Sequence, residues 1–157
     1  MRDLLFKILH IEAVLLMVLL LLFPFVIGEK EVAFQDMKQV TKTMLDKRYQ
    51  QEDRFYIRKY YHLNEKMYTQ AAVYTFASAM EAQEVAIFYE PDSLKRKLLK
   101  EKIAQRKEVK AQTFKGYQEA KYQMIENGII VEISDYVCLF VDEDALHLKQ
   151  AVKELFL

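Results

Sequence analysis

The first 28 residues differ in pattern from the rest of the chain. Arg2 and Lys7 lie at the start of an apolar stretch that spans residues 4–27. A helix over this stretch would be about 36 Å long, which is enough to cross a hydrocarbon core of about 30 Å. The pattern therefore predicts a transmembrane anchor at residues 1–28. The basic start of the segment predicts that the remainder of the chain lies outside the cytoplasmic membrane.

The same segment also fits a cleaved secretory signal. Pro24 and the small residue Gly28 follow the apolar core, where signal peptidase could cut. Cleavage near Gly28 would release a secreted protein, whereas the uncleaved segment would leave a single-pass protein in the cytoplasmic membrane. No cysteine lies at the end of the apolar stretch, which excludes a lipid-modified N-terminus. We expect the anchor, and both interpretations place residues 29–157 outside.

Residues 29–63 have the pattern of a helical connector beside the membrane. Apolar residues recur at helical spacing from Val32 to Tyr49, which predicts an amphipathic helix. A second short helix is predicted from Phe55 to His62. The apolar stripe of the first helix must cover its own domain, a partner helix or the bilayer surface, and we expect its own domain. Self-association through Val32–Tyr49 is the alternative that would make a homo-oligomer.

Residues 64–157 contain alternating strand and helix patterns. Two strand pairs are predicted, each joined by a short turn, with two helices between the pairs and one after the second pair. The predicted elements are strands at Ala71–Phe76 and Glu84–Tyr89, helices at Ser93–Thr113 and Tyr117–Glu126, strands at Ile129–Ile133 and Tyr136–Val141, and a helix at Ala145–Phe156. The order ββααββα predicts an α+β domain, a small and mainly antiparallel sheet with helices on one face.

Composition and motifs exclude several classes of function. The 23 basic residues balance the 23 acidic residues, so charge gives no reason to expect a nucleic-acid partner. The single cysteine, Cys138, excludes an internal disulfide and a cysteine-based zinc site. The three histidines have no metal-ligand spacing, and the three glycines are too dispersed for a phosphate-binding loop. The sequence therefore predicts no catalytic, cofactor-binding or metal-binding residue.

The helix predicted from Ser93 onward is strongly basic. Eight lysines and arginines lie between Lys95 and Lys110, against Glu101 and Glu108. One hypothesis is that this face contacts anionic lipid or wall polymer. The other is an ordinary solvated helix face whose charges balance acids elsewhere. The candidate anionic-surface contacts are Lys95, Arg96, Lys100 and Lys107.

The order and spacing of several segments resemble a known family. The resemblance covers roughly Phe55 to Phe156. The segments that carry it are Tyr60–Leu63, Met80–Ala86, Phe114–Tyr117, Asn127–Gly128 and the strand Tyr136–Val141. The chain resembles the domain-of-unknown-function family forty-three fifty-eight, small envelope proteins found mostly in Firmicutes. The resemblance implies an exported, membrane-tethered location, and it implies no activity. Many members are lipoproteins, and this chain departs from them because it lacks the lipid-accepting cysteine.

These observations favour an interaction or accessory module of the bacterial cell envelope, tethered to the membrane and bound to an envelope protein. The alternative is an enzyme or enzyme subunit that acts on envelope polysaccharide, for example in an acyl-transfer system. A cleft that gathered Glu84, Arg106 and Tyr117 around a carboxylate of shifted pKa would favour the enzyme. The candidate surface contacts are Tyr60, Tyr61, Glu84, Arg106 and Tyr117. For the aromatic residues, packing in the core is the stronger interpretation.

Overall fold

The computed structural model of the protein describes residues 10–18 and 31–157. The chain divides into two compact units, Met1–Lys30 and Glu31–Leu157. Residues 10–18 are helical. Within the described ranges, no helix combines the length and the apolar character needed to cross a bilayer. Most of the predicted span, and the cleavage position near Gly28, lie outside the described residues.

The unit Glu31–Leu157 contains five strands and five helical segments. The helical segments are α1 (Phe34–Met44), α2 (Arg54–Tyr56, continuing as a π-helical turn over Ile57–Tyr61), α3 (Ser93–Phe114), α4 (Glu119–Glu126) and α5 (Ala145–Glu154). The strands are β1 (Tyr49–Gln51), β2 (Gln70–Phe76), β3 (Glu84–Tyr89), β4 (Ile129–Ile133) and β5 (Tyr136–Val141). The predicted α+β class is confirmed, and both strand pairs lie where the sequence predicts them.

The five strands form one antiparallel sheet in the order β1-β2-β3-β5-β4. The predicted hairpins β2–β3 and β4–β5 lie side by side because β3 pairs with β5. Ser134 adopts a positive φ of 48° in the tight turn between β4 and β5. The strand β3 is thus the centre of the sheet, with β2 and β5 on either side of it, and β1 and β4 are its edges.

Helices cover both faces of the sheet, which corrects the prediction of helices on one face. One face packs against α2, α3 and α4, and we call it the α3 face. The other packs against α1 and α5, and we call it the α5 face. The reason is that β5 is buried along its whole length rather than on alternate residues. A strand that is apolar on both sides requires a cover on both sides.

The segment predicted as one helix from Val32 to Tyr49 is a shorter helix followed by an edge strand. The helix α1 ends at Met44, and the Asp46 side chain accepts a hydrogen bond from the Arg48 backbone N–H at 2.8 Å, which forms a turn. Tyr49 then begins β1 and packs edge-on against Phe76 at 4.6 Å. The apolar stripe of α1 packs on its own domain, where Met37 is fully buried.

Candidate functional site

The site forms around Glu84, the first residue of β3. Side chains alternate along a strand, so Glu84 lies on the same face as Ala86 and Phe88, which belong to the α3-face core. Because β3 has a neighbour on each side, Glu84 is flanked by β2 and β5. Its side chain is 0% exposed. A carboxylate at this position must find partners inside the protein, since a buried and unpaired charge is very costly.

The helix α3 supplies two cations to Glu84. The helix begins at an Asp92 cap, whose side chain accepts hydrogen bonds from the backbone N–H groups of Leu94 and Lys95. Arg106 and Lys110 lie one helical turn apart and therefore project from the same side. Both side chains are almost fully buried.

The distances describe a tight ionic cluster. Arg106 donates through Nε to Glu84 Oε1 at 3.1 Å and through Nη2 to Oε2 at 2.7 Å. This bidentate geometry is the strongest form of an arginine–carboxylate pair. Lys110 Nζ donates to Glu84 Oε2 at 2.8 Å. We call Glu84, Arg106, Lys110 and the two tyrosines described next the Glu84 cluster.

Two tyrosines from α2 complete the cluster. The Tyr61 hydroxyl donates to Glu84 Oε1 at 2.5 Å, and its ring packs edge-on against Phe88. The Tyr56 hydroxyl accepts a hydrogen bond from Arg106 Nη2 at 3.0 Å and lies 3.4 Å from Glu84 Oε2. The helix α2 begins at Asp53, whose side chain accepts from the Tyr56 backbone N–H. The π-helical turn ends at His62, where φ is 54°.

The cluster fixes the protonation of its members. Burial alone would raise the pKa of Glu84, but Lys110 and Arg106 outweigh that effect and lower the pKa to about 2. Burial and the negative charge of Glu84 raise the pKa of Tyr61 well above its usual value. Burial, together with repulsion from the neighbouring Arg106, lowers the pKa of Lys110 despite the attraction of Glu84. At neutral pH, Glu84 is ionised and Tyr61 is neutral.

This geometry is poorly suited to proton-transfer chemistry. A general acid or base works best when its pKa lies near the operating pH and when it can reach a substrate proton. Glu84 has a pKa near 2, and its oxygens already accept from Arg106 and Lys110. The thiol of Cys138, on the α5 face, is also unsuited to nucleophilic attack, because burial raises its pKa to about 12.

Four of the five predicted surface contacts lie together, although only one of them is at the surface. Glu84, Arg106 and Tyr61 are buried members of the Glu84 cluster. The exposed ring of Tyr60 covers the cluster, with its centroid 4.8 Å from Arg106 Cζ. Tyr117 is 72% exposed in the turn between α3 and α4 and has no contact with Glu84. The cleft that would have gathered Glu84, Arg106 and Tyr117 is therefore not formed.

Most of the predicted anionic-surface contacts already have partners within the chain. Arg96 bonds Asp135 at 2.8 Å and Glu132 at 3.4 Å, and Lys100 bonds Glu132 at 3.4 Å. The Lys107 Nζ donates to the carbonyls of Glu126 and Gly128 at 2.7 and 2.9 Å. Lys107 thereby caps the C-terminal end of α4.

Lys95 is only loosely paired, since its Nζ lies 4.0 Å from Glu90. Its side chain is about half exposed. Among the four residues proposed to meet an anionic surface, Lys95 therefore keeps the most freedom to do so. The hypothesis of an anionic surface stays a prediction, and pairing inside the chain reduces the free charge that supports it.

Two members of the Glu84 cluster, Tyr56 and Lys110, were missed by the sequence analysis. A signal for Lys110 exists, because the buried residues Leu99, Ile103 and Phe114 continue at helical spacing through position 110. A lysine on the apolar stripe of a helix implies a buried anion elsewhere in the fold. No comparable signal exists for Tyr56, since its role depends on where α2 meets α3.

The comparisons with known proteins give one match. Residues 50–142 match the model of the family described as Domain of unknown function (DUF4358), from within β1 to the residue after β5. No curated protein and no solved structure matches. Within the described ranges, no three His, Cys, Asp or Glu side chains lie close enough together to hold a metal ion. The match confirms the resemblance to family forty-three fifty-eight.

Proposed function

The chain belongs to the DUF4358 family, and from that premise we propose that it is a non-catalytic interaction module of the bacterial cell envelope. In this proposal, residues 4–27 tether the chain to the cytoplasmic membrane, and the unit Glu31–Leu157 binds an envelope protein on the outer side. The tether and the binding surface have different supports, and each has its own test.

The tether is supported by the apolar stretch and its basic start. Arg2 and Lys7 favour retention of the N-terminus in the cytoplasm. A C-terminal reporter enzyme that functions only outside the cytoplasm tests the orientation, and activity of a cytoplasmic reporter at the same position would contradict it. The mass of the mature N-terminus separates the anchor from the alternative, because cleavage near Gly28 would remove the apolar stretch.

The binding role is supported by the exposed edge of β4, which is the observation that carries the proposal. Natural sheets protect an edge strand with lysine, proline, a bulge or short length. The strand β4 has five residues and contains no lysine, proline or bulge, its one charged residue is Glu132, and its register with β5 is continuous. The other edge, β1, has only three residues and is followed by Glu52 and Asp53.

The one charged residue of β4 does not oppose strand addition. Glu132 is paired with Arg96 and Lys100 of its own chain. The edge therefore offers backbone groups and aliphatic side chains with little net charge. An extended segment of a partner protein could add to this edge as a sixth strand.

The enzyme hypothesis has less support from the site. Its expected cleft required Glu84, Arg106 and Tyr117 around an accessible carboxylate. Glu84 is instead fully buried between two cations. In this proposal the module binds, and an acyl-transfer system is one class of partner that it would serve.

Site-specific photo-crosslinking in native membranes tests the binding role. A photoreactive residue at position 132 lies on the β4 edge, and the matched control at exposed position 108 lies on α3. We expect a covalent adduct with an envelope protein from position 132 and none from position 108. Adducts from both positions, or from neither, would contradict the proposal. An adduct of twice the chain mass from position 132 would show that the β4 edge binds a second copy of this chain and not an envelope protein.

A further inference from the structure

The outer side of β4 presents backbone groups that the sheet does not use. Ile133 and Tyr136 flank the two-residue turn between β4 and β5, so they form a hydrogen-bonded pair. Because such pairs alternate along antiparallel strands, the N–H and C=O groups of Ile130 and Glu132 point away from β5. Neither residue takes part in a further backbone–backbone hydrogen bond within the described residues. These groups are therefore available to an added strand.

The two sides of β4 present different chemistry to such a strand. Ile129, Val131 and Ile133 lie on the α5 face, where their side chains are half-buried against the apolar core. Ile130 and Glu132 lie on the α3 face, because side chains alternate across a strand. Every second side chain of an added strand would therefore continue the α5 face. Aliphatic side chains at those positions would bury the half-exposed apolar surface of β4.

The α3 face beside β4 has a small excess of positive charge. Its cations are Arg96, Lys100 and Lys107, and its carboxylates are Glu132 and Asp135. Arg96 pairs with both carboxylates, and the half-exposed Lys100 shares Glu132 with it at 3.4 Å. The Lys107 ammonium group bonds two backbone carbonyls and no carboxylate in the described part of the chain. The remaining side chains of an added strand would therefore meet a surface that favours acidic groups.

The spacing of the two lysines fits an extended chain. Lys100 and Lys107 are separated by two turns of α3, which is about 10 Å along the helix axis. Residues on one face of a strand repeat every 7 Å or so, roughly twice the rise per residue. Two acidic residues on the same face of an added strand can therefore each approach one of these flexible cations.

We propose that the β4 edge selects an extended partner segment in which aliphatic residues alternate with acidic residues. The aliphatic side chains cover Ile129, Val131 and Ile133 on the α5 face, and the acidic side chains pair with Lys100 and Lys107 on the α3 face. This inference rests on the proposed binding role of β4 and names the chemistry of its partner. A second copy of β4 fits less well, because its one acidic residue is already paired within its own chain.

Fluorescence anisotropy of labelled heptapeptides, titrated with the full-length chain in uncharged maltoside micelles, tests the proposal. The probe alternates valine with glutamate, and its matched control has lysine in place of each glutamate. We expect saturable binding of the probe and binding of the lysine peptide that is weaker by about tenfold. Two further peptides carry N-methyl groups, one on the glutamate nitrogens and one on the valine nitrogens. Binding should be lost in one of them and kept in the other, because only alternate N–H groups of an added strand face β4. Equal binding of the glutamate and lysine peptides, or undiminished binding of both N-methylated peptides, would overturn the proposal.

A charge reversal on α3 locates the site. Lys100→Glu should weaken binding of the probe about tenfold and strengthen binding of the lysine peptide. The control Lys102→Glu makes the same change of charge two positions on, which is the opposite side of the helix, and should bind as the parent does. Equal weakening in the two variants would show that the peptide does not bind beside β4.

The crosslinking experiment at position 132 separates failure of this inference from failure of the proposed function. A crosslinked partner segment without the alternation of aliphatic and acidic residues would overturn the inference and leave the binding role intact. A doubled mass of the full-length chain in sedimentation, together with no binding of the probe, would assign the β4 edge to a second copy and overturn both.

Discussion

The two faces of the sheet are buried by different kinds of interaction. On the α5 face, the central strands present Ile87, Cys138 and Phe140 to α1 and α5, and this core is almost entirely apolar. On the α3 face, the same two strands bury apolar side chains beside an ionised Glu84 with two cations. One sheet therefore separates a core held by apolar burial from a core that includes an ionic network.

The two faces therefore contribute different properties: the α5 face contributes mainly stability, and the Glu84 cluster contributes mainly structural specificity. Apolar burial stabilises in proportion to area and tolerates changes of neighbour. A buried ion pair contributes little net stability, because desolvation opposes the attraction, yet breaking it is very costly. We infer that the Glu84 cluster fixes the position of α2 and α3 on the sheet, since a shift of either helix would separate charges inside the protein. The α5 face has no comparable ionic cluster, so a shift of α1 or α5 would not separate buried charges.

Loss of the Glu84 charge should give the largest effect. In Glu84→Gln, Arg106 and Lys110 become buried cations without a carboxylate, and we expect the free energy of unfolding to fall by about 4 kcal/mol. The control Glu108→Gln, on the exposed side of α3, should change it by less than about 0.5 kcal/mol. Urea titration of the full-length chain followed by tyrosine fluorescence measures both, because all ten tyrosines lie after residue 30. Similar losses in the two variants would remove the distinction between the faces.

Acidification should remove the contribution of the Glu84 cluster to stability without a mutation. The folded pKa of Glu84 is about 2 against an ordinary value of 4.5. Because the folded pKa is the lower one, its contribution is fully present above pH 4.5 and is lost as the pH falls towards 2. The stability of the parent should fall by about 3 kcal/mol more than that of Glu84→Gln across this window. Parallel pH profiles for the two proteins would show that Glu84 does not carry this dependence.

The stability of the α5 face should depend on apolar packing and not on charge, so a substitution that leaves a cavity should destabilise it. Leu148 in α5 is buried against this core, whereas its neighbour Leu146 is 66% exposed. We expect Leu148→Ala to lower the free energy of unfolding by about 3 kcal/mol, with no added pH dependence between 2 and 4.5. Leu146→Ala should change it by less than about 0.5 kcal/mol. Equal effects of the two substitutions would mean that α5 is not packed on the sheet as described.

A matched pair of tyrosines gives the finest test of the comparison. The Tyr61 hydroxyl, on the α3 face, donates to Glu84, whereas the buried Tyr74 hydroxyl, on the α5 face, has no partner in the described residues. Tyr61→Phe should lower the free energy of unfolding by about 2 kcal/mol because a charged acceptor loses a hydrogen bond. Tyr74→Phe should leave it unchanged or raise it slightly. The opposite order in urea titrations would contradict the assignment of polar and apolar faces.

The hairpin β4–β5 and the helix α3 were predictable because their signals are local. Asp92 sits at the start of α3, and the two strands are apolar runs separated by Ser134 and Asp135. The strand β1 was not predictable in this way. Its three residues form a strand because Tyr49 packs on Phe76 and pairs with the end of β2, which is distant in sequence.

The candidate site was predicted in part. Glu84 and Arg106 were selected from the sequence, but as surface contacts, because charge in a sequence is an indication of exposure. Whether a charge is buried depends on whether an opposite charge meets it, and Lys110 and Tyr61 come from α3 and α2. Tyr117 was also selected as a surface contact, and it is exposed and lies apart from Glu84 because it follows the end of α3.

The sequence by itself determined the α+β class, the two hairpins and the boundaries of most helices, because apolar periodicity, caps and turn residues act over a few neighbouring positions. Only the tertiary structure decided that helices cover both faces of the sheet, that β1 forms an edge, and that Glu84 is buried with Arg106 and Lys110. These outcomes depend on contacts between residues far apart in the chain. Burial and pairing of charge are properties of those contacts.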